Sequence, residues 1–82
     1  MQIKDIKLKL KENFQNAKIE VFDSMGTGDH FSLIIISDDF EKLSLINRHR
    51  SVYNIFQKEI TKEIHALQIQ TYTKNEWKQK NK

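Results

Sequence analysis

A chain of 82 residues with no cysteine and a formal charge of +3 has room for one domain and no more. At this size about 60% of the unfolded chain's surface is buried on folding, which leaves no space for a deep, enclosed active site and argues against a self-contained enzyme. The missing thiols exclude a disulfide-stapled secreted domain, and any thiolate-ligated metal would need its sulfur from elsewhere.

The first residues, Met1 to Phe14, place Lys in every turn and lack the apolar core of a signal peptide. The longest apolar run, Leu33 to Ile36, is too short to span a bilayer. A soluble protein without a membrane partner is expected: cytoplasmic, or in the mitochondrial matrix or another organelle if the source is eukaryotic. Ile3, Ile6, Leu10 and Phe14 recur at helical spacing and predict a helix over 3–14. Lys4, Lys7 and Lys11 flank that stripe, with stems able to lie along its edge.

Lys18 to Asp23 alternates with period two and predicts a strand with one solvated face. Both glycines of the chain, Gly26 and Gly28, fall in the run Ser24 to Asp29, the one clear loop. His30 to Ser37 is richer in apolar residues and predicts a second strand, covered on both faces and antiparallel to the first. Asp38 and Asp39 end it.

Ser44 has the chemistry of a helix N-cap. Leu45, His49, Val52, Tyr53, Phe56 and Ile60 follow a 3.6-residue period and predict a second, longer helix. A turn around Thr61 to Glu63 leads to a third alternating strand from Ile64 to Tyr72. Thr73 and Glu76 have capping-box spacing, so a short last helix carrying Trp77 begins there. Lys78, Lys80 and Lys82 form a basic tail from about residue 78.

The order α-β-β-α-β-α makes an α+β domain over residues 1–82: a three-stranded mixed sheet with helices on one face. Strands two and three are joined through a helix, which favours a right-handed crossover and parallel pairing. Strand two begins at His30 and strand three near His65. Parallel pairing therefore brings both imidazoles, and the glycine loop, to one end of the sheet.

Two imidazoles on one rim make half of a tetrahedral site, and without cysteine or a close carboxylate they do not complete it. A metal held there would share ligands with a partner. The plain alternative is two strand-end histidines without a role. His49, in the apolar stripe of helix two, reads as a packed structural residue. Arg48 and Arg50 flank that stripe and, with His49 between them, are candidates for a partner-binding surface, the arginines for an anionic group, against a solvated helix face as the alternative. Gly26-Thr-Gly28 lacks the spacing of a phosphate cradle, so loop flexibility is its simpler use. Ser24, Ser37 and the Asp38–Asp39 pair form no catalytic constellation.

Phe31-Ser-Leu-Ile-Ile-Ile-Ser-Asp38, then Arg48-His-Arg-Ser-Val-Tyr53, Ile64-His-Ala-Leu67 and Thr71-Tyr-Thr-Lys-Asn-Glu-Trp77, resemble the BolA family in order and spacing. The resemblance covers nearly all of Ile19 to Trp77. It implies a class II KH-like fold and a non-enzymatic role. The implied partner is a monothiol glutaredoxin, with a two-iron, two-sulfur cluster bridging the two proteins, in iron–sulfur maturation or iron signalling. The partner's cysteine and a glutathione thiolate would supply sulfur. His65, in the Ile-His-Ala-Leu motif, would supply nitrogen, with His30 in the loop position as a second ligand. Gly26 and Gly28 would let the site close around a cluster delivered by the partner. The isolated chain is expected to be a monomer holding no cluster tightly.

The resemblance also raises an alternative, a KH-like nucleic-acid-binding transcriptional regulator. KH modules clamp nucleic acid with a GXXG loop. The chain contains none, and its mild charge permits such binding without arguing for it.

Overall fold

In the computed structural model, which describes residues 1–60 and 62–81, the chain runs α1 (Ile3–Asn13), β1 (Lys18–Asp23), β2 (His30–Ile36), a 3-10 turn (Asp38–Phe40), α2 (Leu45–Ile55), β3 (Ala66–Tyr72) and α3 (Lys74–Lys80). Thr61, in the expected turn before strand three, and Lys82, at the end of the expected tail, lie outside the described residues.

The strands form one sheet in the order β1-β2-β3. β1 and β2 are antiparallel, with Lys18 opposite Ile36 and Phe22 opposite Ser32. β2 and β3 are parallel, with His30 opposite Ala66 and Leu33 opposite Ile69. The alternation of Ile19, Val21, Phe31, Leu33 and Ile35 sends these side chains to one face, where all are buried. Ile6 and Leu10 of α1, Val52 of α2, and Phe56 just beyond it close over that face with no exposure. The opposite face is only partly covered. Ile36 is buried, Ile34 is half-buried and Phe22 is exposed, so β2 is not sealed on both sides as its composition predicts. Trp77 of α3 reaches this side, its ring edge-on to Tyr72 at 5.2 Å.

Local signals set most boundaries. The Ser44 hydroxyl accepts from Asn47 N–H at 3.2 Å, starting α2. Thr73 accepts from Glu76 N–H at 3.1 Å, and Glu76 accepts from Thr73 N–H at 2.8 Å, closing the capping box that starts α3. α3 continues through Lys80, so Lys78 and Lys80 belong to a helix rather than to a frayed tail.

α2 differs from its sequence pattern in length and in face. It ends at Ile55 after 11 residues, no longer than α1. Ile60 lies beyond it, in a bridge to Ile64. Lys9 of α1 donates to the free Ile55 carbonyl at 3.3 Å and pairs with Glu59, satisfying one of the acceptors that a helix end leaves open. The buried row of α2 is Arg48 and Val52, continued by Phe56, while Leu45, His49 and Tyr53 are exposed. His49 is therefore not a packed core residue.

Both glycines have left-handed backbone, Gly26 at φ 71 and Gly28 at φ 75. A Cβ on Gly28 would stand 3.2 Å from the Met1 carbonyl oxygen, whereas one on Gly26 would meet open space. Gly28→Ala is expected to cost about 1–2 kcal/mol and Gly26→Ala about 1 kcal/mol, in urea melts at neutral pH. A Gly28→Ala variant as stable as the parent would contradict this account.

Candidate functional site

The parallel β2–β3 pair brings residues 35 positions apart to one rim. His30 opens β2, and His65 is the bend residue before β3. Their rings lie 6.2 Å apart between centroids and are stacked at 28°. Metal–nitrogen bonds run about 2.1 Å each, so this separation is close to what two imidazoles on one centre can span.

Asp29 holds both histidines. Its backbone carbonyl accepts from His65 N–H at 2.8 Å and from Ala66 N–H at 3.3 Å. Its carboxylate lies 2.7 Å from His30 Nδ1 and also accepts from the Thr27 hydroxyl. An ionised carboxylate only accepts, so Nδ1 carries a proton and Nε2 is the ring nitrogen not engaged by Asp29. Nothing in the pattern of histidines points to Asp29. The local signal was its position directly before His30, where a carboxylate can orient an imidazole.

The Thr27 hydroxyl, and after it the His30 ring, hold the Asp29 carboxyl below its ordinary 3.8. The stabilisation from its ionised form is present above 3.8 and is lost as pH falls through the lower folded-state value. In a carbon-detected NMR titration Asp29 is expected to titrate below 3.8, and Thr27→Val to raise its midpoint. An unshifted midpoint in the parent protein would rule out this network.

The glycine loop, expected to be flexible, is tied down. Gly28 N–H donates to Asp23 Oδ2 at 2.9 Å, Ser24 N–H to the His30 carbonyl at 2.9 Å, and Gly26 N–H to the Asp23 carbonyl at 3.3 Å. Gly26 and Gly28 serve here as turn formers that present Asp29 and His30 in fixed positions.

Arg48 and Arg50 part company. Arg48 is 6% exposed, and its guanidinium grips Glu76 through two bonds of 2.7 and 3.2 Å and donates to the Leu43 carbonyl at 3.0 Å. It is committed inside the domain and not offered to a partner. The sequence holds no local signal for this, because Glu76 lies 28 residues downstream. Arg50 and His49 are exposed and line a groove between α2 and β3 with Tyr53, Asn54, Leu67 and Ile69.

Among the described residues no three His, Cys, Asp or Glu side chains are grouped to hold a metal ion. The rim offers two nitrogens with an oriented ring and no sulfur, a donor set that fits half of a shared site. No helix among the described residues is long and apolar enough to cross a membrane.

A sequence model of the BolA-like protein family matches residues 3–76. The chain is 35% identical over 79 residues to the DNA-binding transcriptional regulator BolA of Escherichia coli, covering 88% of this chain and 75% of that protein. It is 41% identical over 78 residues to an uncharacterized protein of Buchnera aphidicola, covering 95% and 74%. Among solved structures, the BolA domain of SufE1 from Arabidopsis thaliana superposes with a TM-score of 0.80 at 33% identity, covering 93% of this chain and 98% of that one.

Proposed function

The chain belongs to the BolA-like family, and from that premise we propose that it is a non-enzymatic partner of a monothiol glutaredoxin. In this reading His65 and His30 are its ligands to a bridging two-iron, two-sulfur cluster. Sulfur comes from the glutaredoxin cysteine and from glutathione, since this chain has none to give. The observation that carries the reading is the meeting of two imidazoles, 6.2 Å apart, on a rim where the one neighbouring carboxylate, Asp29, is engaged by His30 and Thr27 and no three ligand side chains are grouped among the described residues. Imidazole in place of thiolate removes negative charge from an iron and raises the potential of such a cluster. The protein's own part is positional. Asp29 orients the His30 ring through its carboxylate and anchors the backbone of His65, so one ring is aimed and the other residue is placed before a partner arrives.

The test is anaerobic co-reconstitution of the full chain with a monothiol glutaredoxin and glutathione, followed by visible circular dichroism. A spectrum distinct from that of the glutaredoxin alone is expected. A spectrum unaltered by the added chain would overturn the proposal.

A second reading is supported by the name of the Escherichia coli relative, a DNA-binding transcriptional regulator. Without a GXXG loop, and at +3, this chain is expected to bind short duplex DNA weakly and with a shallow salt dependence. Tight binding that falls steeply between two salt concentrations would favour this reading over the first.

A further inference from the structure

β3 is an edge strand, since the sheet runs β1-β2-β3. Its pairing with β2 decides which of its backbone groups remain open. Ala66 N–H donates to the Asp29 carbonyl, and the Tyr72 carbonyl accepts from Ser37 N–H at 2.9 Å, so the even-numbered residues of β3 face β2. By the period of two, the N–H and C=O groups of Leu67 and Ile69 face outward. Among the described residues no backbone group from a turn, loop or helix bonds them.

Proteins usually blunt such an edge with charge, proline or a bulge. The opposite edge follows this habit, since β1 carries Lys18, Glu20 and Asp23. β3 reads Ala-Leu-Gln-Ile-Gln-Thr-Tyr, without charge or proline. Beside it runs an open groove against α2, lined by His49, Arg50, Tyr53, Asn54, Leu67 and Ile69. Leu67 and Ile69 are only half-buried there, and Tyr53 is 46% exposed. Thr71, next on the same face of β3, is buried. Among the described residues Arg50 has no carboxylate within ion-pair distance.

We infer that the β3 edge receives an extended segment of a partner protein as an added strand. Its apolar side chains, two residues apart, lie over Leu67 and Ile69, and an acidic side chain reaches Arg50. A strand edge flanked by a helix recognises peptides in this way: main-chain bonds supply affinity, and alternate side chains enter the groove. One arginine and one histidine in the groove make a poor phosphate track, which disfavours nucleic acid as the occupant. The inference stands apart from the cluster reading, because it needs neither histidine as a ligand.

The probe is the blocked peptide acetyl-Ser-Val-Thr-Val-Asp-Asp-Ser-amide, titrated into the full chain and followed by NMR. The Leu67 and Ile69 amides are expected to gain protection from hydrogen exchange. Arg50→Ala is expected to weaken binding about ten-fold, the loss of a charge-assisted bond. The same peptide with its valine amides N-methylated, which removes strand pairing and keeps the side chains, is expected not to bind. Equal binding of the methylated peptide would overturn the proposal, as would shifts centred on another surface. So would an oligothymidylate that occupies this edge more tightly than the peptide.

Discussion

On the proposed reading, replacing His65 with alanine is expected to leave the fold in place and to change the visible circular dichroism of the reconstituted glutaredoxin complex. The residue is exposed and in a bend, and its tie to the sheet is through its backbone N–H rather than its ring. Its truncation therefore costs no more than about 0.5 kcal/mol of stability. The effect on the site is far larger. Losing an outer-shell group lowers metal affinity by roughly 10–100-fold, and losing a ligand itself is expected to exceed that range. Asp29→Asn provides the graded control: it keeps the backbone carbonyl that holds His65 and weakens the carboxylate that orients His30, with an expected loss of about ten-fold. Reconstituted spectra that do not change with His65→Ala would strike it from the ligand set, whatever His30 does.

Glu76→Ala is expected to be the most damaging surface-side substitution for stability, at about 2 kcal/mol. The carboxylate makes both bonds to the buried Arg48 guanidinium and accepts the Thr73 N–H that starts α3. Removing one member of a buried ion pair costs about 3–5 kcal/mol. The Glu76 side chain is 45% exposed, so solvent screens part of the loss, while the broken capping box adds to it. The Arg48 guanidinium, as the main cause, and the Thr73 N–H next hold the Glu76 carboxyl below its ordinary 4.5. That stabilisation is present above 4.5 and fades as pH falls through the lower folded-state value. Denaturant melts of parent and variant should thus differ most near neutrality and converge in acid. A gap that is small at pH 7, or that does not shrink as pH falls below 4.5, would contradict the assignment.

These two sites show how far the residues alone could be read. Short-range chemistry was legible. The period-two run of β1, the Ser44 cap and the Thr73–Glu76 box all mark elements with side chains a few residues apart. The histidine rim was legible too, because one helix between two strands forces parallel pairing and hence a common end for His30 and His65. The face of α2 was not. Leu45, His49 and Tyr53 offer one helical stripe, while Arg48, Val52 and Phe56 offer another. What decides between them is Glu76, which makes burial of Arg48 tolerable from a distant helix. The anchors of the glycine loop are local, Asp23 to Gly26 and Gly28 and Ser24 to His30, but no pattern of residue types announces those bonds. The half-open second face of β2 escaped notice because a run of isoleucines looks alike whether one layer or two will cover it.

The parallel pairing of β2 with β3 sets an order of events. Its partners, such as His30 and Ala66, are separated by the whole of α2, so closing that loop is among the costlier steps of folding. Until it closes, the two imidazoles sit on independent stretches of chain and no chelating pair exists. A nascent or half-unfolded copy thus has no paired imidazoles, and only a finished domain has the rim to offer.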